Sequence, residues 1–346
     1  PWGTIANIEP SKYQKGKAYI TVDLHQMGDF GTYVYKTEDY GETWTKISKT
    51  VPQSVHSFAH VVIEDPQQAG MLYLGLDNGL FISKNDGKTW FQLKNNLPPA
   101  PVYWIAVQER FDDLVVGKYG RGYYILDDVS PLRSIGPDMS DLEFFDVRDG
   151  YRFSSKESIK TDGPSYNSGR NPTYGVPLNY YLMDTTAKTM SLTIEDANGE
   201  VIRTLKTAKK EGLNRVWWDL RYEPTYKPKL RTIPPGRPWV QLNGEGWRPL
   251  VTWDLDLWRG QFGPRVVPGA YTAVLTVNGQ TFRQTFNVLQ DPTSNGTLED
   301  IQKQVDLSLE MRDAMNIAVN MINKIEIIRM ELVLSLIHIS EPTRRT

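Results

Sequence analysis

TEDYGETW, at Thr37 to Trp44, is followed further along the chain by SKNDGKTW, at Ser83 to Trp90. Both stretches have the pattern Ser/Thr-x-Asp/Asn-x-Gly-x-Thr-Trp, and a short apolar run, GTYVY or GLFI, comes just before each of them. The second copy begins roughly 46 residues after the first, which is within the period of propeller blades and similar strand arrays. The repeat therefore predicts a series of strand-rich units.

Each copy has the chemistry of a tight turn between two strands. The Asp or Asn side chain can accept hydrogen bonds from backbone amides just ahead of it. The glycine can adopt the positive φ that the turn needs, and the tryptophan begins the next strand and buries a large ring. The positions are Thr37, Asp39, Gly41 and Trp44, and then Ser83, Asn85, Gly87 and Trp90.

This pattern resembles the Asp-box, or BNR, repeat of sialidases, of some glycoside hydrolases and of sortilin-type receptors. Asn85 departs from the usual pattern, which has aspartate at that position. The resemblance implies that the residues of the box are structural, so we expect no catalytic role for Asp39.

Three units align within residues 1–133 and predict a mainly β fold that begins with the C-terminal blades of a propeller. Each unit holds short β-branched or aromatic runs bounded by Gly, Pro, Asn or Asp, which is typical of strands. The first two units have four such runs, and the third has three and lacks an Asp-box. Because a propeller has about 4–8 blades, we expect the missing blades to lie N-terminal to these three, so that the chain is a fragment.

The remainder of the chain predicts a second β domain. Residues 134–175 are interpreted as a linker, and residues 176–292 as an immunoglobulin-like β-sandwich with several short strands. Asn198-Gly199 and Asn278-Gly279 are strong signals for two-residue hairpin turns.

An insert at residues 223–267 interrupts this sandwich and is rich in proline and tryptophan. Its rings could stack on sugars or pack between domains, and packing is the favoured interpretation. The tryptophans are Trp239, Trp247, Trp253 and Trp258.

Residues 297–333 predict a C-terminal helix. Thr297 can cap it, with Asp300 in the capping-box position. Apolar side chains follow helical spacing along one stripe, and we expect this stripe to pack against a second helix. The stripe consists of Met311, Met315, Ala318, Ile322, Ile325 and Leu332.

Composition narrows the class of protein. The 346 residues carry a net charge of −2, so we expect no binding to nucleic acid. Cysteine is absent, which excludes disulfides and thiolate metal sites. The four histidines lack metal-ligand spacing, no cofactor fingerprint occurs, and no apolar run is long enough for a membrane span. We therefore expect neither a metal nor a cofactor.

The Asp-box units, the stretch GRGYYILDD, the sandwich and the terminal helix together resemble the large bacterial propeller proteins labelled sortilin-like or glycosyl hydrolase. The stretches LTIEDANGEVIRTL, NRVWWDLR and VPGAYTAVLTVNG resemble the immunoglobulin-like domain near the C-terminus of many secreted bacterial proteins. The resemblance implies an extracytoplasmic location, secreted or periplasmic. It is specific for fold and weak for function.

Blade geometry predicts one binding face. The strands of a propeller blade run from the inner strand outward, so the loop between the second and third strands lies on the same rim as the loops between blades. The Asp-boxes join the third and fourth strands and therefore lie on the opposite rim. That rim combines charge, hydrogen-bonding groups and an aromatic ring, as sites for polar ligands do. The predicted ligand-binding residues are His25, Asp77, Asn78, Tyr119 and Arg121.

Two functions stay open at this point. The first is a protein that binds a peptide or a carbohydrate in the propeller funnel, with this chain as its non-catalytic part. The second is a glycoside hydrolase, which needs two carboxylates beside the glycosidic oxygen, and that pair is then expected in the missing blades. A structural role is favoured for the acidic residues of these units, which are Asp23, Asp29, Asp77, Asp112, Asp113, Asp127 and Asp128.

The end of the chain, LSLIHISEPTR at Leu334 to Arg344, resembles the translation of a sequencing-library adapter. We therefore interpret residues 334–346 as an artefact and exclude them from the fold.

Deletion of residues 334–346 is expected to leave the melting temperature unchanged, because this segment should make no specific contact with the domains beyond continuing the helix. Calorimetry of the truncated and complete chains measures this directly. A drop of several degrees would contradict the interpretation.

Overall fold

The computed structural model describes residues 3–120, 122–136, 139–153, 171–186, 188–250 and 261–340. The chain is mainly β, as predicted, and divides into two compact units, Pro1–Met139 (unit 1) and Ser140–Thr346 (unit 2).

Unit 1 contains three antiparallel sheets, in each of which consecutive strands pair. The first sheet consists of β1 (Thr4–Pro10), β2 (Ala18–Asp23), β3 (Tyr33–Thr37) and β4 (Thr45–Lys46). The second consists of β5 (Ala59–Glu64), β6 (Leu72–Leu76), β7 (Gly79–Ser83) and β8 (Phe91–Gln92). The third consists of β9 (Val102–Gln108), β10 (Asp113–Lys118) and β11 (Gly122–Leu126). The prediction of three blades, the last with fewer strands, is confirmed.

The second sheet lies between the other two, and both of its faces are buried. Leu72 and Leu74 pack into a core shared with the first sheet, whereas Met71 and Tyr73 pack into a core shared with the third. Successive residues of a strand point to opposite faces, so a sheet with neighbours on both sides has continuously apolar strands. Each fully buried side chain of this kind contributes about 1.5–3 kcal/mol relative to exposure.

The first strand of each sheet packs closest to the neighbouring sheet. β5 contacts β1 and β2, and β9 contacts β5 and β6. Gly75 permits the second of these approaches, because a Cβ atom there would come within 2.6 Å of the Val102 carbonyl oxygen.

The first Asp-box is held by its own polar groups. Asp39 Oδ1 accepts a hydrogen bond from Thr43 N at 2.9 Å, and Thr43 Oγ1 donates one to Asp39 Oδ2. Thr37 Oγ1 accepts one from Gly41 N at 2.9 Å, and Gly41 has a φ of 93°. The hydroxyl and the amide of Thr43 lower the pKa of Asp39 to about 2.

In the second Asp-box, Asn85 makes equivalent contacts without a charge. Asn85 Oδ1 accepts a hydrogen bond from Thr89 N at 2.9 Å, while Asn85 Nδ2 donates one to Thr89 Oγ1 at 2.8 Å. The threonine hydroxyl therefore accepts here, whereas it donates in the first box. A Cβ atom on Gly87 would come within 2.6 Å of Ile47, so this turn packs closely on the first sheet.

The tryptophans of the two boxes differ in burial. Trp90 is 6% exposed, and its Nε1 donates to the Ile47 carbonyl at 2.8 Å. Trp44 is 40% exposed and bonds within its own turn, to the Gly41 carbonyl. Trp90 packs on the preceding sheet, whereas no sheet among the described residues precedes the first sheet, whose third and fourth strands flank Trp44.

Unit 2 contains two sheets packed face to face. The smaller has the order β12 (Leu142–Phe144), β14 (Val176–Leu182), β17 (Gly212–Trp218). The larger has the order β13 (Gly150–Arg152), β19 (Gln280–Gln290), β18 (Gly269–Val277), β15 (Met190–Glu195), β16 (Val201–Leu205). One core joins their inner faces, and the fully buried ring of Trp218 contacts Tyr271 and Phe286 there.

The segment predicted as a linker, residues 134–175, differs from that expectation. It contributes β12 to the smaller sheet and β13, which pairs in parallel with β19, to the larger. Strands of three residues have no readable alternation, and they form here because longer strands offer them hydrogen bonds. Residues 154–170 of this segment lie outside the described residues.

The helix α2 (Leu298–Ser340) begins at the predicted capping box, and it continues beyond the predicted end at Val333. Thr297 Oγ1 accepts a hydrogen bond from Asp300 N at 3.1 Å, and Asp300 Oδ2 accepts one from Thr297 N at 3.2 Å. None of the described helices combines the length and the hydropathy that a bilayer span requires.

The buried face of α2 is not the predicted apolar stripe. Ile301, Val305, Val319 and Glu326 are buried. The exposed side chains include Met311, Met315, Ile322, Ile325 and Leu332. In place of a second helix, described residues of the insert at residues 223–267 bind an adjoining, more polar face of α2.

Side chains of α2 bind the backbone of this insert. Asn316 Oδ1 accepts a hydrogen bond from Tyr226 N at 2.8 Å. Asn323 Oδ1 accepts one from Lys229 N at 2.6 Å. The step from Tyr226 to Lys229 is three residues, which span about 10 Å when extended. The step from Asn316 to Asn323 is seven residues, which span about 10.5 Å in a helix. The two amide donors therefore match the spacing of the two side-chain acceptors.

Glu326 continues these contacts further along the helix. Its Oε2 accepts hydrogen bonds from the amide and the hydroxyl of Thr232, both at 2.9 Å, and Arg329 Nη1 donates to its Oε1 at 2.8 Å. Burial opposes ionisation, but these bonds and the charges of Arg329 and Arg248 lower the pKa of Glu326.

Arg133, in the short helix α1 (Ser130–Ser134), joins two loops at the Asp-box rim of unit 1. Its Nε and Nη2 donate to the two carboxylate oxygens of Asp65 at 3.0 and 3.2 Å, and its Nη1 lies 2.8 Å from Asp112 Oδ1. Asp65 is fully buried, and Arg133 places a positive charge beside it.

Arg133→Ala is expected to lower the free energy of unfolding by about 3–5 kcal/mol, because it leaves a buried carboxylate unpaired. Urea unfolding followed by tryptophan fluorescence measures the change. Lys12→Ala, which removes an exposed ion pair with Glu109, is the control and should cost no more than about 1 kcal/mol. Equal losses in the two variants would contradict the role of Arg133.

Candidate functional site

A row of five aromatic rings crosses the three sheets of unit 1 at the rim opposite the Asp-boxes. His25 stacks on Phe58 with ring centroids 4.6 Å apart, and Phe58 meets His60 edge-on at 5.2 Å. His60 stacks on Tyr103 at 4.1 Å, and Tyr103 lies 5.5 Å from Tyr119. We call these five residues the aromatic row.

The topology of the sheets brings these rings together. Phe58, His60 and Tyr103 lie just before or at the start of the first strand of a sheet. His25 and Tyr119 lie just after the end of the second strand of a sheet.

Antiparallel pairing places these positions at one edge: Lys118, at the end of β10, pairs with Val102, at the start of β9. Tyr119 follows Lys118 and lies opposite Pro101, while Tyr103 occupies the irregular position of the pairing between Val102 and Trp104, so both tyrosines lie at this edge.

The aromatic row is exposed at one end and buried in its middle. Tyr119 is 71% exposed and Tyr103 is 49% exposed, whereas His60 is 7% exposed. The two tyrosines thus present ring surface to solvent while the buried His60 supports Tyr103 from below. Such ring pairs contribute about 0.5–1.5 kcal/mol beyond the area they bury.

Two carboxylates fix the imidazole rings of the row. Asp77 contacts the exposed His56 through Oδ2 at 3.1 Å and the buried His60 through Oδ1 at 3.4 Å. Asp23 lies 2.7 Å from His25 Nδ1. Burial lowers the pKa of His60, although Asp77 opposes this shift. His60 is therefore neutral at pH 7.

Asn78 lies beside Asp77 in the turn between β6 and β7. Its Nδ2 donates to Ser54 Oγ at 3.4 Å, and its Oδ1 is buried without a hydrogen-bond partner. Asn78 also lines a cleft of about 350 Å³ together with Gln92, Lys94 and Pro98. Asn78 therefore joins this turn to the loop that carries Ser54.

Four of the five predicted site residues, His25, Asp77, Asn78 and Tyr119, lie at this rim, and Arg121 lies outside the described residues. Phe58, His60 and Tyr103 of the row were not predicted. The unit alignment contained a signal for two of them, because His60 and Tyr103 both occupy the second position of a first strand.

Several acidic residues considered for hydrolysis have structural contacts. Asp29 and Asp128 accept hydrogen bonds from backbone amides two residues ahead. Asp112 pairs with Arg133 at the opposite rim. Within the residues that the structure describes, no group of three or more His, Cys, Asp or Glu side chains is placed to hold a metal ion.

The tryptophans of the insert that the structure describes differ from one another. Trp239 is largely exposed, whereas Lys229 Nζ lies 4.8 Å from the ring centroid of Trp247. Trp253 and Trp258 lie outside the described residues.

The fold and the rim define a propeller-type β protein. No family model and no curated protein matches the chain. Several solved structures are similar to it in part, including the following three. An ancestral GH74 enzyme is 18% identical, with a TM-score of 0.28, over 34% of this chain and 14% of that one. A GH74 xyloglucanase from Xanthomonas campestris is 11% identical, with a TM-score of 0.28, over 82% and 47%.

The third is the extracellular domain of the one-component system BT4673 from B. thetaiotaomicron, which is 12% identical, with a TM-score of 0.28, over 85% of this chain and 31% of that one. This chain thus covers less than half the length of each of the three. At this TM-score the likeness carries no argument about function.

His60→Gln is expected to flatten the pH dependence of stability. Because the folded pKa of His60 is below its ordinary value of 6.5, the unfolded state binds more protons between the two values, and stability rises with pH through that window. Urea unfolding at about pH 5 and about pH 7.5 measures the difference. Glutamine keeps a polar contact to Asp77 but does not titrate.

His56→Gln is the matched control, because it removes the exposed histidine on the same carboxylate and leaves His60 in place. It should therefore keep the part of the pH dependence that His60 provides. A pH dependence as large in His60→Gln as in the unaltered protein would show that burial of His60 is not its cause.

Proposed function

We propose that unit 1 belongs to an extracytoplasmic propeller protein that binds a peptide or a glycan, and that the ligand lies on the aromatic row. The observation that carries this proposal is the row itself, in which solvent-exposed rings of Tyr103 and Tyr119 are backed by a buried imidazole. Exposed aromatic surface bordered by hydrogen-bonding groups is the usual composition of a binding site for polar ligands.

The chemistry of the rim suits a ligand with both apolar and polar faces. The tyrosine rings offer flat surface to the C–H groups of a sugar or to the side chain of a peptide. The carboxylate of Asp77 offers acceptors to hydroxyl or amide groups. Glycans and peptides both meet these requirements, so the binding experiment must include both.

Exposed apolar surface supports the proposal that further blades complete the propeller. Trp104, Tyr123 and Ile125 are exposed on the third sheet, and Ile5 and Ile8 are exposed on the first. The second sheet, which has neighbours on both sides, buries its apolar residues. Blades of the same chain packed against the outer two sheets would bury these side chains in the same way.

Glycoside hydrolysis is the alternative, and Asp23 and Asp77 are two carboxylates at the rim that carries the aromatic row. A hydrolase needs one carboxyl group as acid and a second as base or nucleophile. Both described carboxylates already contact imidazole rings, so the alternative places its catalytic pair in further blades.

Tyr103→Ala and Tyr119→Ala are each expected to weaken binding by about threefold to tenfold, equivalent to ~0.7–1.4 kcal/mol, because each removes stacking surface. The complete protein is first screened against oligosaccharide and peptide arrays, and calorimetry on the best ligand then gives Kd. Tyr226→Ala, at an exposed tyrosine of unit 2, is the control and should bind normally.

Unchanged affinity in both row variants, with normal melting temperatures, would place the ligand elsewhere. Chromatography of the oligosaccharides after incubation separates binding from hydrolysis. Recovery of intact ligand supports the binding protein, and release of shorter products supports the hydrolase.

A further inference from the structure

A cleft of about 760 Å³ opens in unit 2, between the edge of the sandwich and the N-terminal half of α2. Its wall includes the end of β13, the chain after β17 and the chain before β18. Four arginines line it, namely Arg152, Arg221, Arg265 and Arg312. The proposal for the aromatic row does not use this cleft.

Among the residues that the structure describes, no carboxylate lies close to three of these guanidinium groups. Arg152 Nη2 donates to Gln304 Oε1 at 3.1 Å, and Arg265 Nη1 donates to the Phe153 carbonyl at 2.8 Å. Arg221 Nη1 donates to a backbone carbonyl at 2.7 Å, and its Nε reaches Asp219 only at 4.0 Å. Within the described ranges, neither Arg152 nor Arg265 has an ion-pair partner.

The acidic residues of the wall are engaged in local structure. Asp291 Oδ1 accepts hydrogen bonds from the amide and the hydroxyl of Thr293 at 2.8 and 2.7 Å. Asp300 caps α2 with Thr297. Arg312 is the one arginine of the wall with a close carboxylate, at 2.8 Å from Asp313. Positive charge therefore dominates the cleft.

Donors remain free inside the cleft. A guanidinium group has five N–H donors, and Arg152 Nε is buried with no acceptor. Burial, together with repulsion from Arg265, lowers the pKa of both Arg152 and Arg221. Arginine nevertheless stays protonated at neutral pH, so the convergence of these charges costs free energy that a bound anion would offset.

We infer that this cleft binds a small organic anion through its oxyanion group, a carboxylate, a sulfate or a phosphate. Planar guanidinium groups match the geometry of such groups and bind them through paired hydrogen bonds. The volume is in the range of cavities for small molecules and exceeds that of one inorganic ion. Phe262 and Met315 on the wall provide apolar surface for the rest of the ligand.

Calorimetry on the complete chain tests this inference with three anionic sugars, here called sugar acids: glucuronate, glucose 6-phosphate and N-acetylglucosamine 6-sulfate. Acetate, inorganic phosphate and sulfate are the matched anions, glucose is the neutral control, and sodium chloride holds the ionic strength constant. At least one sugar acid is expected to bind more tightly than its matched anion, and glucose is expected not to bind.

Arg152→Gln and Arg265→Gln are each expected to weaken that binding by about tenfold or more, since each removes a charged hydrogen-bond donor. Arg283→Gln is the control, because it removes an exposed arginine of the same unit that pairs with Glu195. Arg265→Lys, which keeps the charge but not the fork, gives a second measurement if a glutamine variant does not fold.

Three results would overturn the inference. The first is that no sugar acid binds beyond the sodium chloride control. The second is that every sugar acid binds no more tightly than its matched inorganic or acetate ion. The third is that Arg283→Gln weakens binding as much as the cleft variants do.

Discussion

Burial of both faces of the second sheet is the constraint on which unit 1 depends. Leu72 and Leu74 can leave water only against the first sheet, and Met71 and Tyr73 only against the third. Sheets stacked in this way have their loops at two opposite edges. The position of every ring and carboxylate discussed for unit 1 follows from that stacking.

The two edges differ in how their polar groups are used. At one edge, the polar groups of Asp39, Asn85 and Arg133 form hydrogen bonds within turns and in a buried ion pair, so few of these groups are free to bind a ligand. At the other edge, Tyr103 and Tyr119 keep part of their surface exposed. The rim with the Asp-boxes thus has the features of a scaffold, and the rim with the exposed tyrosines has the features of a binding face.

Features that depend on neighbours in sequence could be predicted. The Asp-box turns form through bonds between residues two and four apart, and Asn278-Gly279 has the positive φ values of a tight hairpin turn. Features that depend on distant partners could not be predicted. Strand β13 exists because β19 offers it a parallel edge, and the buried face of α2 is selected by the insert. The same limit applies to His60 and Tyr103, whose contact joins two different sheets.

The contacts between α2 and the insert have a consequence for how the insert can vary. The helix offers oxygen acceptors to the backbone amides of residues 226, 229 and 232, and every amino acid except proline supplies such an amide. The insert has prolines at positions 224, 228, 234, 235, 238, 249 and 264, and none at the three donating positions. The side chains at positions 226 and 229 can therefore change without loss of these bonds, whereas Thr232 also donates its hydroxyl to Glu326, and proline is excluded at all three positions.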